Sequence, residues 1–159
     1  MRKLLFLSLI CVLTFSCSSD DDGGTPEIEI GLQDLLVDQS PWEFNNVEVL
    51  EITQQSNPES TNQEIENMVR NRYQDITFTF NQNETGSFVT PDNQTIDFSY
   101  ELNTATDEIV FEGFSFGFSS TLSNVSIAEN NFQFEVENSA WDGENPESEV
   151  SYEGKFTFY

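Results

Sequence analysis

ITFTFNQNETGSFVTPDNQTIDFSYEL, residues 76–102, is the stretch on which the fold turns. Its apolar residues recur at every second position: Ile76, Phe78 and Phe80, then Ile96, Phe98, Tyr100 and Leu102. Successive side chains of a strand point to opposite faces, so a period of two describes half-buried strands. NQNETG (81–86) turns the chain between ITFTF (76–80) and SFVT (87–90), and Pro91-Asp92-Asn93 turns it again before TIDFSYEL (95–102). Asn, Asp, Gly and Pro each favour turn conformations for their own steric or hydrogen-bonding reason.

The pattern continues towards the C-terminus. EIVFEGFSFGFSS (108–120) reads as two strand segments broken near Gly113, with Phe114, Phe116 and Phe118 on one face and Ser115, Gly117 and Ser119 on the other. Leu122 to Ala128 is a further candidate strand. NFQFEVEN (131–138) and EVSYEGKFTFY (149–159) alternate again, separated by a loop that holds Trp141-Asp142-Gly143. Upstream, WEFNNVEVLEIT (42–53) is strand-like, but its apolar phase shifts between Phe44 and Val47. A bulge at Asn45-Asn46 accounts for that shift. Ile30 to Val37 suggests a short helix.

NPESTNQEIENMVRNRY (57–73) has a different period. Ile65, Met68, Val69 and Tyr73 fall at helical spacing. Thr61 with Glu64 is a capping-box pair. Glu66 and Arg70 stand four apart with the acid first, the better order. Arg70 and Arg72 near the end suit the helix dipole. The segment predicts one amphipathic helix over 58–73.

Short strands at regular spacing with turn signals between them suggest an all-β barrel or sandwich. Every connection after residue 75 is short, so an up-and-down meander is the simplest order. A closed barrel also removes exposed strand edges. SPWEFNNVEV (40–49), ITFTFNQNETGSF (76–88) and the closing YEGKFTFY (152–159) resemble bacterial lipocalin-like domains. In that family an early Trp on the first strand is followed by a Phe-rich strand, a polar turn and an aromatic last strand. The resemblance covers about residues 32–159, although Ser40-Pro41-Trp42 replaces the usual Gly-x-Trp. It implies an antiparallel up-and-down, lipocalin-like β-barrel over 30–159 with one amphipathic helix inserted after the first strand.

The N-terminus reads as an export signal. Met1-Arg2-Lys3 is basic, and Leu4 to Phe15 is almost wholly apolar but only 12 residues long. That is short of the roughly 20 residues that cross a bilayer as a helix, and it fits a secretory signal. LTFSC (13–17) resembles a bacterial lipobox, with Thr14 where Leu is commonest. The resemblance implies that residues 1–16 are removed and that Cys17 is acylated. The alternative is ordinary cleavage that leaves a free thiol. The acidic, Gly-rich stretch that follows cannot bury itself and predicts a flexible tether over 17–29. Ser-Ser-Asp-Asp-Asp directly after Cys17 also resembles the export tag of surface-exposed lipoproteins in some Gram-negative bacteria.

Composition excludes several functions. The chain holds 29 acids against 5 bases and has no His. Once the leader is gone, only Arg70, Arg72 and Lys155 oppose those acids. Such a surface repels phosphate backbones, so no nucleic-acid partner is expected. Cys11 lies in the leader, so no intramolecular disulfide can form. Without His or an unmodified Cys, Ser-His-Asp and Cys-His catalysis are excluded, as is zinc on nitrogen or sulfur. With so many acids a carboxylate pair carries little signal for glycoside cleavage. No enzyme activity, metal or cofactor is expected. Asp142-Gly143-Glu144-Asn145 offers oxygen ligands for calcium, but the EF-hand spacing is absent and a solvated loop is the better reading.

Phe78, Phe80, Phe98, Tyr100, Phe114, Phe116, Phe118, Phe132 and Phe134 are the candidate ligand-binding residues, with Phe156 and Phe158 in the same position. A small barrel either fills its interior with such side chains or holds one small ligand among them. The helix suggests a lid with Ile65, Met68 and Tyr73 inward, whose Arg70 and Arg72 clamp an anion or simply support the helix. The sequence therefore predicts a lipoprotein of the bacterial outer membrane, lipid-anchored and exposed at the cell surface. Its barrel is expected to bind a small apolar or amphipathic ligand without catalysis. The alternative is a surface interaction or structural module with a filled barrel that contacts a partner protein or glycan.

Overall fold

The computed structural model describes residues 31–141, 143 and 146–159. The leader, Cys17 and the tether lie outside the described residues, as do Asp142, Glu144 and Asn145 of the acidic loop that follows Trp141. The alternating segments become eight strands: β1 (Trp42–Gln54), β2 (Thr77–Phe80), β3 (Thr85–Val89), β4 (Thr95–Asn103), β5 (Glu108–Glu112), β6 (Thr121–Ala128), β7 (Asn131–Ala140) and β8 (Val150–Phe158). Each pairs antiparallel with its sequence neighbour, and β1 pairs with β8 to close an up-and-down barrel. Two helices join them, α1 (Leu32–Asp38) before β1 and α2 (Asn62–Tyr73) between β1 and β2.

Apart from phase shifts in β1 and β6, the register keeps one face of each strand inward. β8 alternates strictly between buried and half-buried positions, with Val150, Tyr152, Phe156 and Phe158 inside. β1 changes phase where expected: its pairing with β8 shifts between Phe44 and Asn46, so Phe44 and Val47 both point inward. Asn93, Asp107 and Asn130 adopt positive φ in the turns after β3, β4 and β6, a conformation that Asn and Asp tolerate better than other residues. Gly86 on β3 faces Phe80 on β2 and Phe98 on β4. A Cβ there would lie 2.6 Å from the Phe98 ring and 2.4 Å from the Thr79 carbonyl oxygen, so only Gly lets that ring lie flat on the strand.

α2 starts later than the 58–73 span, at Asn62, because Thr61 caps it. The Glu64 backbone N–H donates to the Thr61 hydroxyl, and the Thr61 backbone N–H donates to the Glu64 carboxylate at 2.9 Å. That backbone hydrogen bond holds the Glu64 carboxyl below its ordinary pKa. Ile65 and Val69 are buried, and Met68 and Tyr73 pack against the core.

One reading of the sequence needs correction. Residues 113–120 do not form a second strand. Gly113 and Gly117 have φ of +79° and +63°, and Phe116 and Ser119 close a tight turn. The period of two therefore fails after Phe116. Phe114 and Phe116 are buried, but Phe118 is 60% exposed and does not share their face.

Candidate functional site

An up-and-down barrel has two ends, and its alternate connections gather at each. At one end α1 lies across the opening with Leu36 buried. The Trp42 indole N–H donates to the Leu36 carbonyl at 2.8 Å, and the Phe80 N–H donates to the Ser40 hydroxyl at 3.0 Å. Gln33 donates to the Tyr100 hydroxyl at 2.6 Å, which in turn donates to the Asn81 carbonyl at 3.0 Å. Burial raises the Tyr100 pKa despite the Gln33 hydrogen bond. This end is closed by a satisfied polar network.

Between the ends the interior is occupied. Phe78, Phe80, Phe98, Tyr100, Phe114, Phe116, Phe132 and Phe134 are all buried in one cluster, as the sequence grouped them. Phe88 and Phe111, which the pattern did not single out, join them. The Phe78 ring on β2 lies 6.2 Å from Phe98 on β4, 6.0 Å from Phe111 on β5, 6.3 Å from Phe134 on β7 and 5.4 Å from Phe158 on β8. Rings from opposite walls thus meet across the barrel axis. Their tilted, edge-on and offset geometries are the favoured ones for aromatic pairs. Burying each such ring contributes roughly 1.5–3 kcal/mol, so the lumen is also the chief source of stability.

At the other end the chain makes a plug and, above it, a cleft. Phe116 enters from the 113–120 loop and packs 5.0 Å from Phe156 and 5.8 Å from Tyr73 of α2. A Cβ on Gly117 would lie 2.6 Å from the Glu137 carbonyl oxygen and 2.9 Å from the Asn138 side chain, so the loop seats closely against β7. Asn138, itself buried, donates to the Tyr73 hydroxyl at 3.4 Å. The buried Tyr152 hydroxyl has no hydrogen-bond partner among the described residues. Its pKa is driven well above the ordinary tyrosine value, by desolvation first and by Tyr73 second, with Arg72 opposing.

The cleft has a volume of about 560 Å³ and is open to solvent. α2 contributes Met68, Asn71 and Arg72, the β3–β4 turn contributes Pro91 and Asp92, and the segment after β7 contributes Trp141. The two arginines of α2 differ. Arg70 is engaged, donating to Glu66 at 3.0 Å, Asn46 at 2.8 Å and Asn67 at 2.9 Å. Arg72 instead lies over aromatic rings, with its guanidinium carbon 4.1 Å from the centre of Trp141 and 5.7 Å from that of Tyr73. Trp141 is 40% exposed. Sequence reasoning marked Arg72 but missed Trp141, Asn71 and Asp92 as its neighbours. Those residues share no local motif, and only the topology, which brings alternate connections to one end, places them together.

Among the described residues no group of three or more acidic, Cys or His side chains is arranged to hold a metal ion. No family model, curated protein or solved structure matches the chain.

Proposed function

We propose that this protein is a cell-envelope lipoprotein, anchored through Cys17 and exposed at the cell surface, whose barrel is a rigid platform for contacting an outside partner. It performs no catalysis and carries no cargo in its lumen. The observation that carries this reading is the set of Phe rings meeting across the axis at Phe78. A ligand site of the usual kind needs about 300–1,000 Å³, whereas the Phe78 ring already stands within 6.3 Å of rings from four other strands. Contact then falls to the loops and helix at the α2 end, where a cleft exists. The acidic surface keeps the platform soluble and non-adhesive.

Carriage of a small apolar ligand is the second reading. Phe114 and Phe116 sit on a loop between two glycines at positive φ rather than on a strand. If that loop swung outward, an aromatic pocket lined by Phe78, Phe98 and Phe134 would open.

The two readings separate in one experiment. Trp42 touches the lumen, 5.6 Å from Phe132. In a Trp141→Phe background its fluorescence reports the interior alone. Challenge with fatty acids, isoprenoids and tetrapyrroles leaves that signal unchanged if the barrel is a platform. A saturable change restores the carrier reading. Location is tested by Cys17→Ser, which releases the protein from membranes; a variant that stays with them removes the anchor from the account.

A further inference from the structure

The cleft at the α2 end has a chemistry of its own. Arg72 makes no hydrogen bond or ion pair among the described residues, although the chain holds 29 acids to pair with it. Stacking on Trp141 uses the face of the guanidinium and leaves its N–H edge without a partner among the described residues. That edge is a rigid fork that matches a planar carboxylate through two parallel hydrogen bonds. Asp92 and Asn71 line the same cleft. An Asp carboxylate only accepts hydrogen bonds, and an Asn amide both donates and accepts, so both suit neighbouring hydroxyls. Asp92 and the negative surface disfavour a multiply charged ligand group such as a phosphate monoester. The half-exposed Trp141 adds an apolar platform beside the fork.

We infer that this cleft binds a carboxylate-bearing saccharide, a hexuronic acid unit of a glycan. The uronate carboxylate sits on the Arg72 fork, its hydroxyls on Asp92 and Asn71, and its C–H face against the exposed part of Trp141. This deepens the platform reading and rests on it, since it gives the outside partner a chemical class.

The test uses the mature, lipidated chain in detergent micelles and follows the two indole N–H signals by NMR. Trp42 is buried and bonded to the Leu36 carbonyl, and Trp141 lies in the cleft, so each reports a different place. The probe is a trimer of galacturonic acid with one free carboxylate, the other two being methyl esters. It is expected to shift the Trp141 signal saturably and leave Trp42 unmoved. Arg72→Gln is expected to weaken binding at least tenfold. Arg72→Lys, which keeps the charge but not the fork, weakens it by a smaller factor, and an unmoved Trp42 signal shows that each variant is folded. A neutral galactose trimer binds at least tenfold more weakly than the acidic one. The inference is overturned if the uronate trimer gives no saturable shift, if Arg72→Gln binds it as well as the native chain, or if the neutral trimer binds equally. It is also overturned if acetate or a peptide with a free C-terminal carboxylate binds as tightly, because the partner is then not a saccharide. Failure of the platform reading looks different: apolar probes then move Trp42, whatever the uronate does.

Discussion

Replacing Phe78 by Ala removes the ring on which the filled lumen depends. Phe78 is fully buried and contacts rings from β4, β5, β7 and β8. Loss of its transfer free energy costs roughly 1.5–3 kcal/mol. The void it leaves, on the order of 100 Å³, adds about 2.4 kcal/mol at about 24 cal/mol per Å³ if the walls hold their positions. The sum is about 4–5.5 kcal/mol, at the top of what buried Phe→Ala changes cause. Urea unfolding measures it, with Phe118→Ala as the control. That ring is exposed, so its loss stays within about 0.5 kcal/mol. A second readout is independent of the first. An apolar cavity of this kind stays dry and accepts benzene, so benzene should raise the unfolding midpoint of Phe78→Ala and leave that of the native chain unchanged. A cost below about 1 kcal/mol, or equal stabilisation of both proteins by benzene, would refute the close-packed lumen.

Gly86→Ala forces a methyl group into the Thr79 carbonyl and the Phe98 ring; it should lower the urea midpoint by the equivalent of about 1–3 kcal/mol, the usual range for overpacking. Thr61→Ala removes the cap of α2 and should cost about 1 kcal/mol by the same assay. Because the folded Glu64 has a lowered pKa, the stability its ionised form contributes is present above the ordinary carboxylate pKa and fades as pH falls through the lower folded value; Glu64→Gln, which removes the titrating carboxyl, should flatten that part of the stability–pH curve. Tyr100 and Tyr152 have raised pKa values, so the unfolded chain loses these protons first. Stability should therefore hold up to the ordinary tyrosine pKa and fall above it, and ultraviolet titration should show these two tyrosines ionising above the ordinary tyrosine pKa.

The barrel was legible because each strand carries its own period. Phe132 and Phe134, or Phe156 and Phe158, announce a buried face without reference to any other part of the chain. α2 was legible for the same reason, its Thr61–Glu64 cap and Glu66–Arg70 pair being local chemistry. The 113–120 segment was misread because Phe114, Phe116 and Phe118 imitate a strand, and periodicity cannot register that Gly117 turns the backbone back on itself. Whether the aromatic face encloses a space was illegible. That depends on rings from non-adjacent strands reaching one another, as Phe78 and Phe134 do. The cleft was illegible too. Arg72, Asp92 and Trp141 lie far apart in sequence and meet only because the barrel folds their three connections to one end.

The most direct test of the filled platform is the mass of the protein as the cell makes it. The protein would be extracted gently from its own membranes and weighed first under native and then under denaturing conditions. The account predicts the same mass in both: the chain from Cys17 onward plus its covalent acyl groups. An additional mass of a few hundred daltons that is present natively and lost on denaturation, and that disappears in a folded Phe116→Asp variant, would mean that the lumen opens and carries a ligand.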